Sequence, residues 1–247
     1  MILREDERIN EINESLRLIE KINGLTFGTD AYLLSAILPR RSKAIGVELG
    51  AGTGVVSLLA LARGKCKHIY GIEVQNSFAE LCARNAELNS LSDKLSVICK
   101  NVKDVGPVDT QGELDFAFSN PPYMSNSSGK ANEFEEKNIA RHEVLGDIND
   151  FCACAKRLLK HGGDFYVVYR PDRLADLIFA LKGNNLEPKR LTFIYPNSHS
   201  APSLLLISAK HGGKSGMIVD EPIYIYKDGT TEYTERFARI YEAGSLE

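Results

Sequence analysis

The run Asn120-Pro121-Pro122-Tyr123 combines residue types that can handle an amino group. It follows the apolar stretch Leu114–Ser119 and so reads as the turn that closes a buried strand. Two successive prolines fix φ and remove N–H donors, which leaves the turn's carbonyls stiff and available as acceptors. With the Asn120 side-chain oxygen and the Pro121 carbonyl both accepting, one planar NH2 group can be held by its two hydrogens. The Tyr123 ring can then stack on the heterocycle that carries it. An Asn-Pro turn that merely ends a strand uses the same residues, so the elements around it must decide between the two.

Upstream, Ala44–Leu49 reads as a strand that enters Gly50-Ala51-Gly52-Thr53-Gly54 and then a helix beginning at Val55. The G-x-G-x-G spacing differs from the G-x-G-x-x-G of dinucleotide enzymes, so nothing here demands a pyrophosphate at the helix N-terminus. A nucleoside without phosphate suits it. The glycines would let such a ligand approach the backbone, and Glu48 could face a cationic group such as the amino group of a methionine moiety. About twenty residues past the turn, the strand His68–Glu73 ends in a carboxylate, where α/β nucleotide folds place a ribose-binding acid. Taken alone, Glu73 could equally be a solvated acid opening the next helix. The glycine turn, Glu73 and Asn120 come in order on three strand ends, and together they point to S-adenosylmethionine.

Composition agrees with a soluble globular chain of the cytoplasm. With 247 residues and 43% hydrophobic content, it can bury a substantial core, and no apolar run approaches the twenty residues that span a bilayer. The charged start Met1–Arg8 lacks the apolar stretch of a signal peptide. Cys66, Cys82, Cys99, Cys152 and Cys154 form neither C-x-x-C pairs nor a Cys/His cluster, so no metal and no full disulfide framework is expected. Net charge is −3, yet residues 151–214 hold ten Lys/Arg against four acids. That window is either a basic face for nucleic acid or a set of solvated helix ends.

β-rich runs at Ala44–Leu49, His68–Glu73, Leu95–Cys99, Leu114–Ser119, Asp164–Tyr169, Leu191–Tyr195 and Leu204–Ser208 alternate with helical ones. The helices are expected at Asp30–Leu38, Val55–Arg63, Ser77–Asn89, Ile148–Lys160 and Arg173–Gly183, with Gly64, Gly162 and Gly163 as stops. The alternation predicts a doubly wound, mostly parallel sheet. The last two strands are joined by too short a loop for a crossover helix, so they should pair antiparallel. We expect a single domain over 1–247, with an N-terminal extension of about forty residues and a C-terminal tail from about 215.

Several motifs resemble those of the bacterial tRNA adenine-N6-methyltransferases that modify A37, beside the anticodon of a valine tRNA. They are Phe27-Gly28-Thr29-Asp30-Ala31-Tyr32-Leu33-Leu34, Glu48–Gly54, Gly71-Ile72-Glu73-Val74-Gln75, Asn120–Tyr123, Ile139-Ala140-Arg141-His142-Glu143 and the tail Glu232-Tyr233-Thr234. The first four belong to a wider amino-methyltransferase superfamily; Ala140–Glu143 and the tail are more specific. The resemblance implies a Rossmann-like class I methyltransferase fold of seven strands, the final one antiparallel, with S-adenosylmethionine as cofactor and a tRNA partner; the oligomeric state stays open, with a monomer favoured. It also implies that Thr29 and Asp30 precede a helix over the methionine end, and that Glu48, Gly50, Gly52, Gly54, Glu73, Gln75 and Asn120 lie on the cofactor. Where relatives carry an Asp beside the cofactor adenine this chain has Lys100-Asn101-Val102, and Asn101 takes that place.

The implied catalytic turn is Asn120, Pro121, Pro122 and Tyr123. His142 is a proton shuttle, a phosphate contact or a structural residue, and Met124–Lys130 suits a substrate-ordered lid. Other amino substrates remain open: an rRNA or DNA base, or the glutamine of a release factor. A DNA enzyme generally carries a target-recognition region for which there is little spare length, and the glutamine enzymes a helical domain before the cofactor core. A noncatalytic cofactor-binding RNA partner is the alternative of a different class.

Overall fold

A computed structural model describes residues 3–13, 15–22, 27–121 and 146–246. The chain begins with a hairpin, β1 (Glu7–Asn13) and β2 (Leu16–Lys21), followed by α1 (Thr29–Ile37), β3 (Ile45–Leu49), α2 (Val55–Ala62), β4 (His68–Glu73), α3 (Asn76–Leu88) and β5 (Leu95–Cys99). It continues with β6 (Leu114–Ser119), α4 (Ile148–Leu158), β7 (Leu159–Tyr169), α5 (Leu174–Gly183), β8 (Leu186–Tyr195) and β9 (Leu204–His211). Two short strands, β10 (Ile218–Val219) and β11 (Ile223–Tyr224), and the helix α6 (Glu235–Ala243) close it.

The central sheet runs β10-β8-β9-β7-β6-β3-β4-β5, with β11 also on β8. Strands β3 to β7 pair in parallel, while β9 lies antiparallel between β7 and β8. This is the expected doubly wound sheet with its antiparallel final strand. The pairs β10 and β11, which are parallel to β8, extend its outer edge beyond the seven strands expected.

Strand order reverses at β3. From there the chain steps outward through β4 and β5, then returns to place β6 on the opposite side. In such sheets the carboxyl ends of the strands flanking the reversal splay apart and leave a crevice. The glycine turn leaves β3 and Asn120 leaves β6, so both candidate elements border it.

Side chains alternate across the sheet. Phe116, Phe118, Tyr166 and Val168 join α1, α2 and α6 in one core layer; Ala117, Phe165, Val167 and Leu49 join α4 and α5 in the other. Gly46 pairs with Phe116, and a Cβ at Gly46 would lie 2.3 Å from that ring, so the glycine makes room for the phenylalanine.

Gly162 and Gly163 do not stop α4, which ends at Leu158. They lie inside β7, where the register against β6 slips between Leu114 and Phe116 and Gly162 takes a φ of 80°. Gly64, at φ 62°, does follow α2 as expected.

Beyond the sheet, the hairpin docks on α3. Asn85 accepts from the Ile19 N–H at 2.7 Å and donates to the Ile19 carbonyl at 3.2 Å; Asn89 does the same for Arg17 at 2.9 and 2.7 Å. Four residues of helix and two of strand advance by nearly the same distance, so the two amides match successive outward-facing backbone groups of β2. They satisfy an edge that would otherwise be open. Arg84 adds a two-pronged pair to Glu7, at 2.7 and 2.8 Å, and holds that carboxyl down at about 2.

Candidate active site

All three glycines of the turn after β3 are left-handed, with φ of 76° at Gly50, 53° at Gly52 and 83° at Gly54. A side chain at any of them would be strained, which explains the alternate spacing. Gly50 and Ala51 both donate to the Ile72 carbonyl at 2.9 Å. The Glu73 carboxylate then accepts from Gly52 N–H at 2.9 Å and from Gln75 N–H at 2.8 Å, so it ties the turn to the end of β4. Since an ionised carboxylate offers about four lone-pair positions, it retains acceptor capacity for a ligand.

Glu48 is 2% exposed at the end of β3. It accepts the Ser57 N–H at 3.1 Å and the Ser57 hydroxyl, and so caps α2, whose N-cap Gly54 has no side chain to do so. Burial outweighs these bonds and, reinforced by the Glu73 charge, pushes the Glu48 carboxyl up to about 8.

Across the crevice, Asn120 donates its side-chain N–H to Asp30 Oδ2 at 2.7 Å. Asp30 Oδ1 in turn accepts from Gly28 N–H at 3.1 Å and Ala31 N–H at 2.9 Å. Pro121 is buried beside Asn120. At its far end α1 is held by Lys65, whose buried ammonium donates to the Ser35, Ala36 and Leu38 carbonyls at 2.7, 2.9 and 2.7 Å.

Between these groups lies a cleft of about 440 Å³, within the size range of small-molecule sites. Of the sequence-predicted residues, Asp30, Glu48, Gly50, Gly52, Glu73, Gln75 and Asn120 line it. Thr29 and Gly54 are not in that lining. Thr29 opens α1, and Gly54 is pressed on α3, where a Cβ would lie 2.5 Å from Cys82 Sγ. Asn101 is likewise not in that lining: its Oδ1 accepts the Lys103 N–H at 3.0 Å, while its neighbours Lys100 and Val102 line the cleft. Alternation at a strand exit turns every second residue the same way. Lys100 donates to Asp109 Oδ1 at 2.7 Å, which supplies a carboxylate nearby from a different loop.

Sequence reasoning missed the apolar walls Phe27, Phe78 and Phe151. Phe27 stands within a recognised motif; Phe78 and Phe151 lie in the first turns of α3 and α4, helices that start at the mouth of the crevice. Pro122, Tyr123, the 124–130 segment, Ile139–Glu143 and His142 lie outside the described residues.

Among the described residues no group of His, Cys, Asp and Glu could hold a metal ion, and no helix is long and apolar enough to cross a membrane. Cys66, Cys82, Cys152 and Cys154 are buried free thiols, and Cys99 is exposed.

Ion pairing offsets much of the charge in the 151–214 window. Lys160 pairs with Asp115, Arg170 with Asp172, Arg173 with Asp176, Lys182 with Glu187, Arg190 with Asp220 and Lys210 with Asp164. Arg157 donates to the Val102 and Val105 carbonyls. Two of the carboxylates, Asp115 and Asp220, come from outside the window, which a count along the sequence cannot anticipate.

The reversed sheet, its antiparallel strand and a glycine-turn crevice faced by an Asn-Pro turn define a class I methyltransferase. An Agrobacterium tumefaciens structure described as a predicted O-methyltransferase shares the fold at a TM-score of 0.71 with 21% identity, over 88% of this chain and 98% of that one. The profile of the methyltransferase small domain family matches residues 23–176, and the chain belongs to that family. A tRNA1(Val) (adenine(37)-N6)-methyltransferase of Phocaeicola vulgatus is 27% identical over 85% of this chain and 89% of its own. One of the same name from Dyadobacter fermentans is 26% identical over 87% and 88%.

Proposed function

We propose that this protein transfers a methyl group from S-adenosylmethionine to the N6 amino group of an adenine in tRNA, at position 37 of a valine tRNA. The observation that carries the reading is the meeting of Asn120, at the end of β6, with the glycine turn and Glu73 on one cleft at the strand reversal. Both relatives named above, each covered over most of its length, support the choice of substrate.

Cleft and cofactor suit each other chemically. Backbone close to the cleft at Gly50 and Gly52 leaves room for a nucleoside, Glu73 would accept the ribose hydroxyls, and Phe78, Val102 and Phe151 offer apolar walls for a base. Glu48 would ionise opposite the ammonium of the methionine end. S-adenosylmethionine supplies an electrophilic methyl on a sulfonium.

The rest is alignment. An adenine N6 lone pair is delocalised into the ring and weakly nucleophilic, so the protein must orient it and support the charge that develops on nitrogen. Asn120 Oδ1 and the Pro121 carbonyl would accept the two amino hydrogens, which favours pyramidal nitrogen and points its lone pair at the methyl. Tyr123 would stack on the base, a contact worth roughly 1–3 kcal/mol that helps offset unstacking it from the loop. No dedicated base is needed, because the proton on the methylated nitrogen is acidic enough to leave to water.

Labelled methyl offered with unmodified tRNA, duplex DNA and a release factor tests the substrate. Incorporation into tRNA alone is expected; incorporation into DNA or protein would keep the fold and cofactor and replace the substrate.

A further inference from the structure

The amide of Asn120 can sit either way round, and only one way serves the reaction. With its oxygen toward the cleft it accepts a target amino hydrogen; with its nitrogen there it opposes donor to donor. Both orientations fill the same volume, so packing alone does not choose between them.

Asp30 chooses. Its Oδ1 is occupied by the Gly28 and Ala31 N–H groups, so Oδ2 is the atom presented to Asn120, at 2.7 Å. An oxygen of Asn120 at that distance would set two acceptors against each other. The amide nitrogen must therefore face Asp30, and the oxygen is turned to the other side. We infer that Asp30 is a positioning residue that sets the polarity of Asn120 for the amino group it receives, a role that rests on the methyl-transfer reading above.

A chemical asymmetry follows. In Asp30→Asn, the side-chain oxygen stays on the Gly28 and Ala31 N–H groups and the new NH2 meets the NH2 of Asn120. Relief comes only by flipping Asn120, which puts a donor in the cleft. Asn120→Asp alone instead sets two carboxylates face to face. The double exchange Asp30→Asn/Asn120→Asp restores a donor against an acceptor, with an oxygen again toward the cleft, and it leaves net charge and side-chain volume as they were.

The test has two readouts. In 15N spectra of the cofactor-free protein, the Asn120 side-chain amide, assigned by its disappearance in Asn120→Asp, is expected to be protected from exchange and to lose that protection in Asp30→Ala while the backbone spectrum is retained. In single-turnover methyl transfer, Asp30→Asn and Asn120→Asp are each expected to lose on the order of tenfold to a hundredfold in rate. The double exchange should recover at least about tenfold over Asp30→Asn when the rates are compared at saturating S-adenosylmethionine. An Asn120 amide unaffected by Asp30→Ala, full activity in Asp30→Asn, a double exchange no better than the single, or a loss carried wholly by cofactor affinity would each overturn the assignment. A wild-type protein that shows the amide protection but methylates no tRNA adenine would instead remove the substrate reading.

Discussion

Ser57 gives both of its donors to the Glu48 carboxyl, the backbone N–H at 3.1 Å and the hydroxyl besides. The end of β3 and the first turn of α2 are thereby locked together across the glycine turn that forms one wall of the cleft. A group this buried, with another carboxylate beside it, carries a pH signature.

In the unfolded chain Glu48 has the ordinary value of 4.5, and in the fold it is pushed up to about 8. Between those values the folded state holds a proton that the unfolded state lacks, so the contribution of Glu48 to stability falls as pH rises through the window, by up to ~1.4 kcal/mol per pH unit. Glu48→Gln keeps an acceptor for Ser57 and never ionises. Its melting temperature should match wild type near pH 4.5 and rise above it increasingly toward pH 8. A constant difference across that range would show that Glu48 is not the titrating group.

The same group predicts a proton balance on binding. At neutral pH Glu48 is mostly protonated, and an ammonium brought beside it favours the ionised form, so S-adenosylmethionine should release protons at pH 7. Calorimetry in buffers of different ionisation enthalpy reads this directly. Release in wild type and none in Glu48→Gln is expected; equal release in both would place the ammonium elsewhere.

Glu73→Ala removes the acceptor of Gly52 and Gln75 N–H as well as the proposed ribose contact. Cofactor affinity should fall by roughly tenfold to a hundredfold, about 1.4–2.8 kcal/mol. Unchanged affinity by calorimetry would remove the ribose role.

Asn85 is fully buried and serves Ile19 on both sides and the Thr53 carbonyl at 3.0 Å. Its loss leaves three backbone groups without that partner, so Asn85→Ala should cost on the order of 2–4 kcal/mol in denaturant unfolding, against under about 1 kcal/mol for the more exposed Asn89→Ala. Equal costs would mean that water replaces the Asn85 bonds.

Much of this architecture is legible in the sequence where the signal is local. Strands β3 to β9 and helices α1 to α5 follow the alternation of β-rich and helical runs, with ends displaced by a few residues at most except at β7, β8 and β9, which run longer. The hairpin has no such local signal, because Glu7–Asn13 carries charge on both faces and buries only Glu7 and Ile12; what covers β2 includes a pair of amides seventy or so residues away. Strands β10 and β11 have two residues each and exist only by pairing with β8, so no pattern announces them. Helix α6 does leave a local signal within the tail expected from about 215, a Thr234 cap with Phe237 and Ile240 on one buried face.

At the site, strand-end residues could be placed from spacing: Glu48, Glu73 and Asn120 all reach the cleft. The Asp30 contact of Asn120 could not, since Asp30 lies ninety residues upstream and the contact depends on how α1 folds over the crevice.

The most direct measurement is mass spectrometry of nucleosides from unmodified valine tRNA incubated with S-adenosylmethionine and either wild-type protein or Asn120→Ala. The account predicts N6-methyladenosine with wild type and none with Asn120→Ala, although the variant still binds the cofactor. A methyl on a different atom, or the same product from both proteins, would contradict it.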